Sequence, residues 1–406
     1  MRRPPSPFTL TTLVLLSLAA CRPADRGIEV AGRGGADTAA VETEEQVAIT
    51  TASDDARALY LKGRELSDQL RFHDARQQFD KQAATLERAT QVDPKYSQAW
   101  NLLGYARMSQ RDYGKAEEAF KQYIALVPND PNPYDSYAEL LMRTGRFDES
   151  IVQYRKALSA DPHFSNAFTG IAANLTYQGR HDAAAAEAQK LYDGARDDGD
   201  RRTALFTRAT IYVDQGRTAK ALEEMDRLYA LDAKLGDTAA MSGDAVQMGD
   251  ILIESGRAAD AAKRYQRSLE LVEKSGLSPE LKENAKLADH FNQARLALAK
   301  RDMGGARKHA EAYRTGAEAT GDGARIRAAH EMAGRIALEE KDFDGAIAHL
   351  GQADQQDPYV LYQIARAYQG SGDAGKAKEA ATSAANANTL PSLRYALVRG
   401  KASKIG

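Results

Sequence analysis

The sequence predicts an all-α protein, a solenoid of about nine stacked helical hairpins with a capping helix at its C-terminal end. Three observations predict this fold. The chain is rich in alanine and poor in runs of strand-forming residues, which favours packed helices. A glycine followed five residues later by a small residue recurs along much of its length. Proline also recurs, with 34 residues between Pro94, Pro128 and Pro162, and a fixed period of this length is typical of stacked repeats.

Residues 1–20 have the layout of a cleaved secretory signal. Two arginines follow Met1, and an apolar run extends from Phe8 to Ala20, which is the usual order of basic and hydrophobic segments. The run is shorter than the roughly 20 residues that a bilayer span needs. It ends in Leu18-Ala19-Ala20-Cys21, which resembles the bacterial lipobox. The alternatives are an ordinary signal peptide with a chance cysteine, or an uncleaved membrane anchor.

Cys21 is the only cysteine of the chain, so the resemblance implies that it carries the lipid and that no disulfide forms. Each buried methylene of an acyl chain contributes about 0.8 kcal/mol, and several chains hold a protein on a membrane. Known lipoproteins with aspartate after the cysteine tend to stay in the inner membrane. Arg22 stands there instead, which favours the outer membrane, facing the periplasm. Residues 21–54 then form a lipidated, disordered tether, because no helical or strand period persists there.

Turn residues divide the remaining chain into repeats. Glycine ends a helix because it adopts the left-handed conformation without a clash, and proline separates one hairpin from the next. Three turns replace the glycine by Arg111, Arg301 and Lys341. The glycine turns, each followed by its small residue, are Gly145 with Ser150, Gly179 with Ala184, Gly216 with Ala221, Gly256 with Ala261, and Gly372 with Ala377.

The 34-residue period resembles the tetratricopeptide repeat. The residues that carry the resemblance are Trp100, Leu103-Gly104, Ala116, Phe120 and Pro128. The resemblance implies hairpins that stack into a right-handed superhelix, with the first helix of each hairpin lining a concave groove that binds an extended peptide or a partner's helix. The match is most specific at 97–162 and weaker at 200–320. The predicted domains are N-terminal repeats at 55–196, divergent repeats at 197–390, and a capping helix with a tail at 391–406.

The repeat register implies which residues face this groove. Near the C-terminus, three successive repeats place arginine in one slot, and arginine beside exposed aromatic rings suits a carboxylate or acidic peptide. Glu331, Arg335 and Glu339 are also spaced for ion pairs within one helix, so both interpretations stay open. The polar N-terminal residues of the groove are Asn101, Tyr105, Asp135, Glu139, Asn166 and Tyr177. The C-terminal residues are Phe291, Arg295, Arg335, Tyr362 and Arg366. Asp135 and Glu139 do not suit the clamp for a C-terminal carboxylate that chaperone-binding members of the family use.

Four histidines fall at equivalent repeat positions. His290 and His330 share a first-helix slot, and His309 and His349 share a second-helix slot. Stacking could bring each of these pairs together as a metal-binding or pH-sensing cluster. The alternative is that the rings replace other aromatic residues in packing.

The sequence offers no catalytic constellation. His330-Glu331 begins like the zinc motif H-E-x-x-H, but Gly334 takes the place of the second histidine. Residues 370–375 fit the pattern G-x-G-x-x-G, but they follow a predicted helix rather than a strand, so we interpret them as a hairpin turn. We therefore expect no enzyme activity, no cofactor and no metal ion.

The charge is nearly balanced, with 55 basic and 57 acidic residues, which argues against a general nucleic-acid binder. We expect a lipid-anchored envelope scaffold or adaptor that binds a protein partner in its groove. Known lipoproteins with such repeats assist outer-membrane barrel assembly, pilus secretin assembly or cell-wall enzyme recruitment. Two alternatives remain open: a receptor for an anionic small ligand or solute that uses the three arginines, and a hydrolase within the divergent repeats.

Overall fold

The computed structural model of this chain describes residue 51, residues 53–69 and residues 75–405. Cys21, the predicted leader and most of the predicted tether lie outside the described residues. The described residues form nineteen α-helices and no β-strand, which confirms the predicted all-α class. None of these helices is both long enough and apolar enough to cross a membrane.

The helices divide into two compact units, one that ends at Gln178 and one that begins at Gly179. The first unit contains α1 (Asp54–Gln69), α2 (Ala75–Val92), α3 (Ser97–Ser109), α4 (Tyr113–Leu126), α5 (Pro131–Arg143), α6 (Phe147–Ala160) and α7 (Ser165–Tyr177). The second unit contains α8 (His181–Asp193), α9 (Asp198–Asp214), α10 (Thr218–Leu235), α11 (Thr238–Glu254), α12 (Ala258–Lys274), α13 (Pro279–Ala299), α14 (Met303–Thr320), α15 (Gly323–Glu339), α16 (Phe343–Leu350), α17 (Pro358–Ser371), α18 (Ala374–Ala385) and α19 (Leu393–Ala402).

Consecutive helices pack as hairpins within each unit, as the repeats predict. The hairpins are α1–α2, α3–α4 and α5–α6 in the first unit, and α9–α10, α11–α12, α13–α14, α15–α16 and α17–α18 in the second. The first helices of successive hairpins also contact each other, for example α3 with α5 and α13 with α15. Because these helices approach one another, their shared surface is the inner side of each stack. We call it the first-unit groove where it is formed by α3, α5 and α7. The second-unit groove is formed by α9, α11, α13, α15 and α17.

The predicted turn residues adopt the left-handed backbone conformation. Gly256 has a φ of 77°, and the same turn position has a φ of 59° at Arg301 and 64° at Lys341. An L-residue in this region is strained by roughly 1–2 kcal/mol. In these two turns the next residue is an aspartate that caps the following helix, because Asp302 accepts from the backbone N–H of Gly305 and Asp342 from that of Gly345. A capping bond of about 1 kcal/mol therefore offsets part of the strain.

Small residues let the two helices of a hairpin approach closely. A Cβ on Gly104 would lie 2.4 Å from a ring carbon of Phe120, and one on Gly249 would lie 2.3 Å from a ring carbon of Tyr265. Phe120 and Tyr265 are fully buried. The large side chain of each second helix therefore occupies the space that a glycine leaves in the first helix.

The predicted C-terminal helix is present as α19, but it does more than cap the last hairpin. It packs on α17 and α18 and also reaches α9 and α11. Its Leu393 belongs to the core cluster that contains Leu205 and Met248. The helix therefore lies across the second-unit groove.

Candidate functional site

The first-unit groove carries a hydrogen-bonded network that joins α3 to α5. The Tyr105 hydroxyl lies 3.2 Å from Glu139 Oε2 and 3.3 Å from Ser136 Oγ. Ser136 Oγ donates in turn to Asn101 Oδ1 at 3.0 Å. On the other side of Glu139, Arg143 Nη2 pairs with Oε1 at 3.2 Å. The network ties two neighbouring repeats together and fixes the orientation of the Asn101 amide.

Two of the predicted groove residues form the floor of this surface. Tyr105 is 9% exposed and Glu139 is 3% exposed. Burial, followed by the negative charges of Glu139 and Asp135, raises the pKa of Tyr105 well above its ordinary value. Tyr105 therefore stays a neutral hydrogen-bond donor, and its contribution to a partner site is to position the residues around it.

The other predicted residues of the first-unit groove reach its surface. Asn101, Asp135 and Asn166 are half-buried, one on each of α3, α5 and α7. Tyr177 is also half-buried, and its ring centroid lies 6.0 Å from that of Phe147. Three successive first helices thus present amide and carboxylate groups along one line of the stack.

The structure corrects the predicted arginine stripe of the second unit. Arg295 is 5% exposed and donates to Asp250, which also accepts from the Tyr265 hydroxyl at 2.8 Å. Arg335 is 8% exposed and lies 3.5 Å from Glu331 Oε1. A buried guanidinium requires a carboxylate partner because desolvation of an unpaired charge costs several kcal/mol. Neither arginine is therefore available to an anionic ligand.

The third arginine of the stripe and its aromatic neighbours also differ from the expectation. Arg366 is half-buried, but its Nη2 pairs with Glu339 Oε1 at 3.1 Å. Phe291 is 3% exposed and its ring packs 5.2 Å from that of Tyr313, so it is a core residue rather than an exposed ring. Tyr362 is half-buried. The hypothesis of a receptor for an anionic ligand therefore lacks the row of accessible arginines that it requires.

A third buried arginine, which comes from α19, joins this cluster. Arg394 pairs with Glu331 at 2.7 Å and with Asp357 at 2.5 Å, and its guanidinium lies 4.6 Å from the centre of the Tyr359 ring. Burial opposes the ionisation of Glu331, but the charges of Arg394 and Arg335 outweigh it and lower the pKa of that carboxyl group. Burial also raises the pKa of Asp357 to about 6, although the positive charge of Arg394 acts to lower it. The inner wall of the second unit is thus an ion-pair network closed by α19.

Two further carboxylates at the ends of first helices bind the other end of α19. Arg399 donates from Nε to Asp214 Oδ1 and from Nη2 to Asp214 Oδ2, both at 2.6 Å. Lys401 Nζ lies 2.6 Å from Glu254 Oε2, and Glu254 Oε1 accepts from the Tyr359 hydroxyl at 2.6 Å. Burial would raise the pKa of Glu254, but attraction to Lys401 and hydrogen bonds from Lys401 and Tyr359 lower it to about 2. Glu254 is therefore ionised and paired at neutral pH.

Sequence reasoning missed Asp214 and Glu254 as functional residues. A signal for them exists, because each stands two residues before a turn glycine, Gly216 or Gly256, in consecutive repeats. An acidic residue in the last turn of a helix is unfavourable next to the partial negative charge of the helix end. Two such residues at one repeat position indicate a cation that approaches from outside the hairpin.

The histidine contacts that the structure shows run within hairpins. Nδ1 of His290 lies 3.1 Å from Nδ1 of His309, and Nδ1 of His330 lies 3.2 Å from Nδ1 of His349. The repeat positions predict that stacking pairs His290 with His330 and His309 with His349, whereas packing within each hairpin sets the observed contacts. Burial, then the neighbouring imidazole, lowers the pKa of His309 and of His330, which favours the neutral form of these two rings.

The glycine-rich segment 370–375 has a simple structural outcome. Ser371 ends α17 and Gly372 follows with a φ of 88°, so the segment 370–375 is a hairpin turn, as predicted. Within the described part of the chain, no group of three or more His, Cys, Asp or Glu side chains is arranged to hold a metal ion.

Parts of the chain are similar to known repeat proteins. Residues 60–131 and 137–200 fit a family model described as tetratricopeptide repeat. The chain is 44% identical over 64 residues to the heat-shock protein cognate co-chaperone sgt12 of Aspergillus fumigatus, which covers 16% of this chain and 19% of that protein. It is 26% identical over 147 residues to anaphase-promoting complex subunit 3 of Schizosaccharomyces pombe, which covers 36% of this chain and 22% of that protein. The chain thus spans about a fifth of the length of these relatives.

The crystal structure of a tetratricopeptide repeat protein from Parabacteroides merdae aligns with a TM-score of 0.42 and 12% identity, over 68% of this chain and 99% of that one. The family match includes residues 100–128, which carry the resemblance in the sequence. The tetratricopeptide repeat is therefore identified for residues 60–131 and 137–200, the part of the chain that the family model matches.

Proposed function

We propose that this protein is a lipid-anchored scaffold of the bacterial envelope that binds a protein partner in its first-unit groove. The observation that carries the proposal is the row of Asn101, Asp135 and Asn166 on three successive first helices. Asn101 and Asn166 lie within the residues that the family model matches, and Asp135 lies in the short gap between the two matched ranges. The two relatives support a binding role, because one is named a co-chaperone and the other a subunit of a complex.

The chemistry of the groove favours a partner segment that offers backbone amides and basic side chains. Side-chain amides such as Asn101 and Asn166 both donate and accept, which suits an extended backbone. Burial contributes most to the raised pKa of Tyr105, followed by the negative charges of Glu139 and Asp135. The negative field of the Asp135 carboxylate therefore extends over the groove floor. We therefore expect a neutral or basic segment rather than an acidic one.

Site-specific crosslinking tests this groove. A photo-crosslinking amino acid at Asn101 of the full chain, in native envelopes, should form a discrete adduct. Asp135→Lys should abolish this adduct, because it places a cation where the partner's basic group binds. Glu118→Lys is the matched control, since Glu118 is exposed on the second helix α4, and it should leave the adduct intact. An adduct that persists in the Asp135→Lys variant would exclude this groove as the binding site.

The envelope anchor is a separate part of the proposal and rests on the sequence around Cys21. Replacement of Cys21 by Ser removes the only thiol that can be acylated. The Cys21→Ser protein should lose acyl labelling and leave the membrane fraction, and separation of inner and outer membranes should find the wild-type protein in the outer one. Continued labelling of the Cys21→Ser protein would refute lipidation at this residue.

A further inference from the structure

The C-terminal helix α19 does not continue the repeat array. In such arrays each hairpin contacts only its neighbours. Yet α19 reaches α9 and α11, and its ion pairs join residues 185 and 147 positions apart in the sequence. It is therefore a separate segment that lies across several repeats in the second-unit groove.

The two carboxylates that bind the C-terminal end of α19 lie at the ends of first helices, where they do not stabilise their own helices. Asp214 and Glu254 are the last residues of α9 and α11. Carbonyl groups at a helix C-terminus carry partial negative charge, so a carboxylate there opposes the formation of its own helix. Asp214 Oδ2 lies 2.9 Å from His181 Nε2 of α8, while the arginine and the lysine that pair with the two carboxylates both come from α19. The two carboxylates thus favour a cation that arrives from the groove.

The helix α19 shows the complementary pattern. Leu393 is an apolar anchor, 3% exposed, in the core cluster that contains Leu205. Arg399 forms a two-bond fork with Asp214, a geometry that a planar guanidinium favours. Lys401 remains 43% exposed in its side chain while it pairs with Glu254. The end of α19 that holds Leu393 and Arg394 is thus buried, and the end that holds Arg399 and Lys401 lies nearer solvent, where its ion pairs can exchange.

We propose that the second-unit groove is a docking site for a basic amphipathic helix of a partner protein, and that α19 occupies this site in cis. The partner helix would present an apolar residue followed by cations at the sixth and eighth positions after it, as Leu393, Arg399 and Lys401 do. Such a helix competes directly with α19. This proposal concerns a different groove from the one proposed to bind the scaffold's partner, so either can fail without the other.

The short connection to α18 makes the cis occupant a strong competitor. Residues 386–392 link Ala385, the end of α18, to Leu393. A linker this short holds its ligand at an effective concentration on the order of millimolar. A partner helix of equal intrinsic affinity therefore binds the wild-type protein only weakly, and loosening of α19 should strengthen its binding.

The test uses a fluorescent peptide of residues 391–406 added to the full-length chain at low salt. The variant Arg399→Ala/Lys401→Ala weakens α19 but leaves the groove intact, so it should bind the peptide at least about tenfold more tightly than wild type. Adding Asp214→Asn/Glu254→Gln should reverse that gain, because the peptide then lacks its anchors. Raising the salt to about 0.5 M should also weaken binding, since partly exposed ion pairs are screened.

The matched control removes two cations elsewhere. Arg307 and Lys308 are exposed on the second helix α14, and Arg307→Ala/Lys308→Ala should bind the peptide as wild type does. Equal peptide affinity for wild type and Arg399→Ala/Lys401→Ala, with the helical circular dichroism spectrum retained, would overturn the proposal. So would a wild-type dimer that exchanges its α19 helices, because the occupant would then be a second copy.

Hydrogen exchange of the unmodified chain keeps the proposal testable if the variants unfold. If α19 is a displaceable ligand, it should leave the groove while the rest of the unit stays folded. Its amides should then exchange faster than those of α9 and α11. Exchange of α19 only at the rate of α9 and α11 would show that it is an integral part of the unit and would overturn the proposal.

Discussion

In the first unit, half-buried Asn101, Asp135 and Asn166 line the groove, whereas in the second unit α19 crosses the same surface. Both surfaces are built from the first helices of similar hairpins. What differs is the origin of the ion pairs. Glu139 of the first unit pairs with Arg143, one turn away on the same helix. Asp214 of the second unit pairs with Arg399, 185 positions away. A repeat register thus locates a groove residue, but a distant segment can decide whether it is available.

The largest expected effect concerns the second unit. Arg394→Ala leaves Glu331 and Asp357 buried without their shared cation, and removal of one partner of a buried ion pair costs about 3–5 kcal/mol. Urea unfolding should show this loss, and hydrogen exchange should show lowered protection in α15, α17 and α19. The control Arg366→Ala removes a half-exposed arginine and should cost less than about 1 kcal/mol. Similar losses for both variants would contradict the buried network.

The second prediction concerns the packing of the first unit. Gly104→Ala places a Cβ 2.4 Å from a ring carbon of Phe120, and overpacking of this kind costs about 1–3 kcal/mol. The loss should be measured by urea unfolding, with lowered hydrogen-exchange protection in α3 and α4. Gly114→Ala in α4 meets no atom within 4 Å, so it should be neutral or stabilising by up to about 1 kcal/mol. A neutral Gly104→Ala would show that the hairpins are packed less tightly than the structure indicates.

The third prediction concerns a buried pair of carboxyl groups in the second unit. Burial, then the neighbouring charge of Asp232, raises the pKa of Asp244 to about 9. Since the unfolded value is 3.8, the contribution of Asp244 to stability is complete below about pH 4 and is lost as the pH rises to about 9. Asp244→Asn keeps a neutral side chain at every pH. It should therefore stabilise the protein at pH 7 by about 1 kcal/mol or more and leave stability unchanged near pH 4.

Unfolding by urea at a series of pH values between 4 and 9 would measure this difference. The control is Asp260→Asn, because the Asp260 side chain is 40% exposed and a hydrogen bond from Arg257 lowers its pKa, so it stays ionised throughout that range. A stability difference for Asp244→Asn that does not grow with pH would contradict the assignment.

The smallest expected effect concerns the turns, which both units share. Arg301→Gly relieves a left-handed residue with a φ of 59° and should stabilise the chain by about 0.5–1 kcal/mol. The reciprocal change Gly256→Ala, at a φ of 77°, should destabilise it by a similar amount. Thermal unfolding of the two variants would measure both effects. A loss of stability in Arg301→Gly would show that the arginine side chain, rather than the backbone, stabilises this turn.

Much of the fold follows from local signals in the sequence. The turn residues from Gly145 to Gly372, and even Arg301 in a glycine position, mark hairpin ends because backbone conformation depends on a few neighbouring residues. The small residues five positions later pack as expected, with Ala221 and Ala261 fully buried. These features need no knowledge of distant contacts.

The candidate sites were less predictable because they depend on contacts between remote segments. The register correctly placed Arg295 on the first helix of its hairpin, but the carboxylate that pairs with it, Asp250, lies 45 positions earlier. The path of α19 across the groove also depends on Asp214 and Glu254, which no local period relates to Arg399. Helix periodicity gives the face on which a residue lies, and only tertiary packing shows what covers that face.

A double-mutant cycle between Asp214 and Arg399 tests most directly whether α19 closes the second-unit groove. The four proteins are wild type, Asp214→Asn, Arg399→Gln and the double variant, each unfolded by urea at pH 7. Because the two side chains share two hydrogen bonds of 2.6 Å, we predict a coupling energy of about 1–3 kcal/mol. Effects that add within about 0.5 kcal/mol would show that the residues do not interact, and would contradict a groove closed by α19.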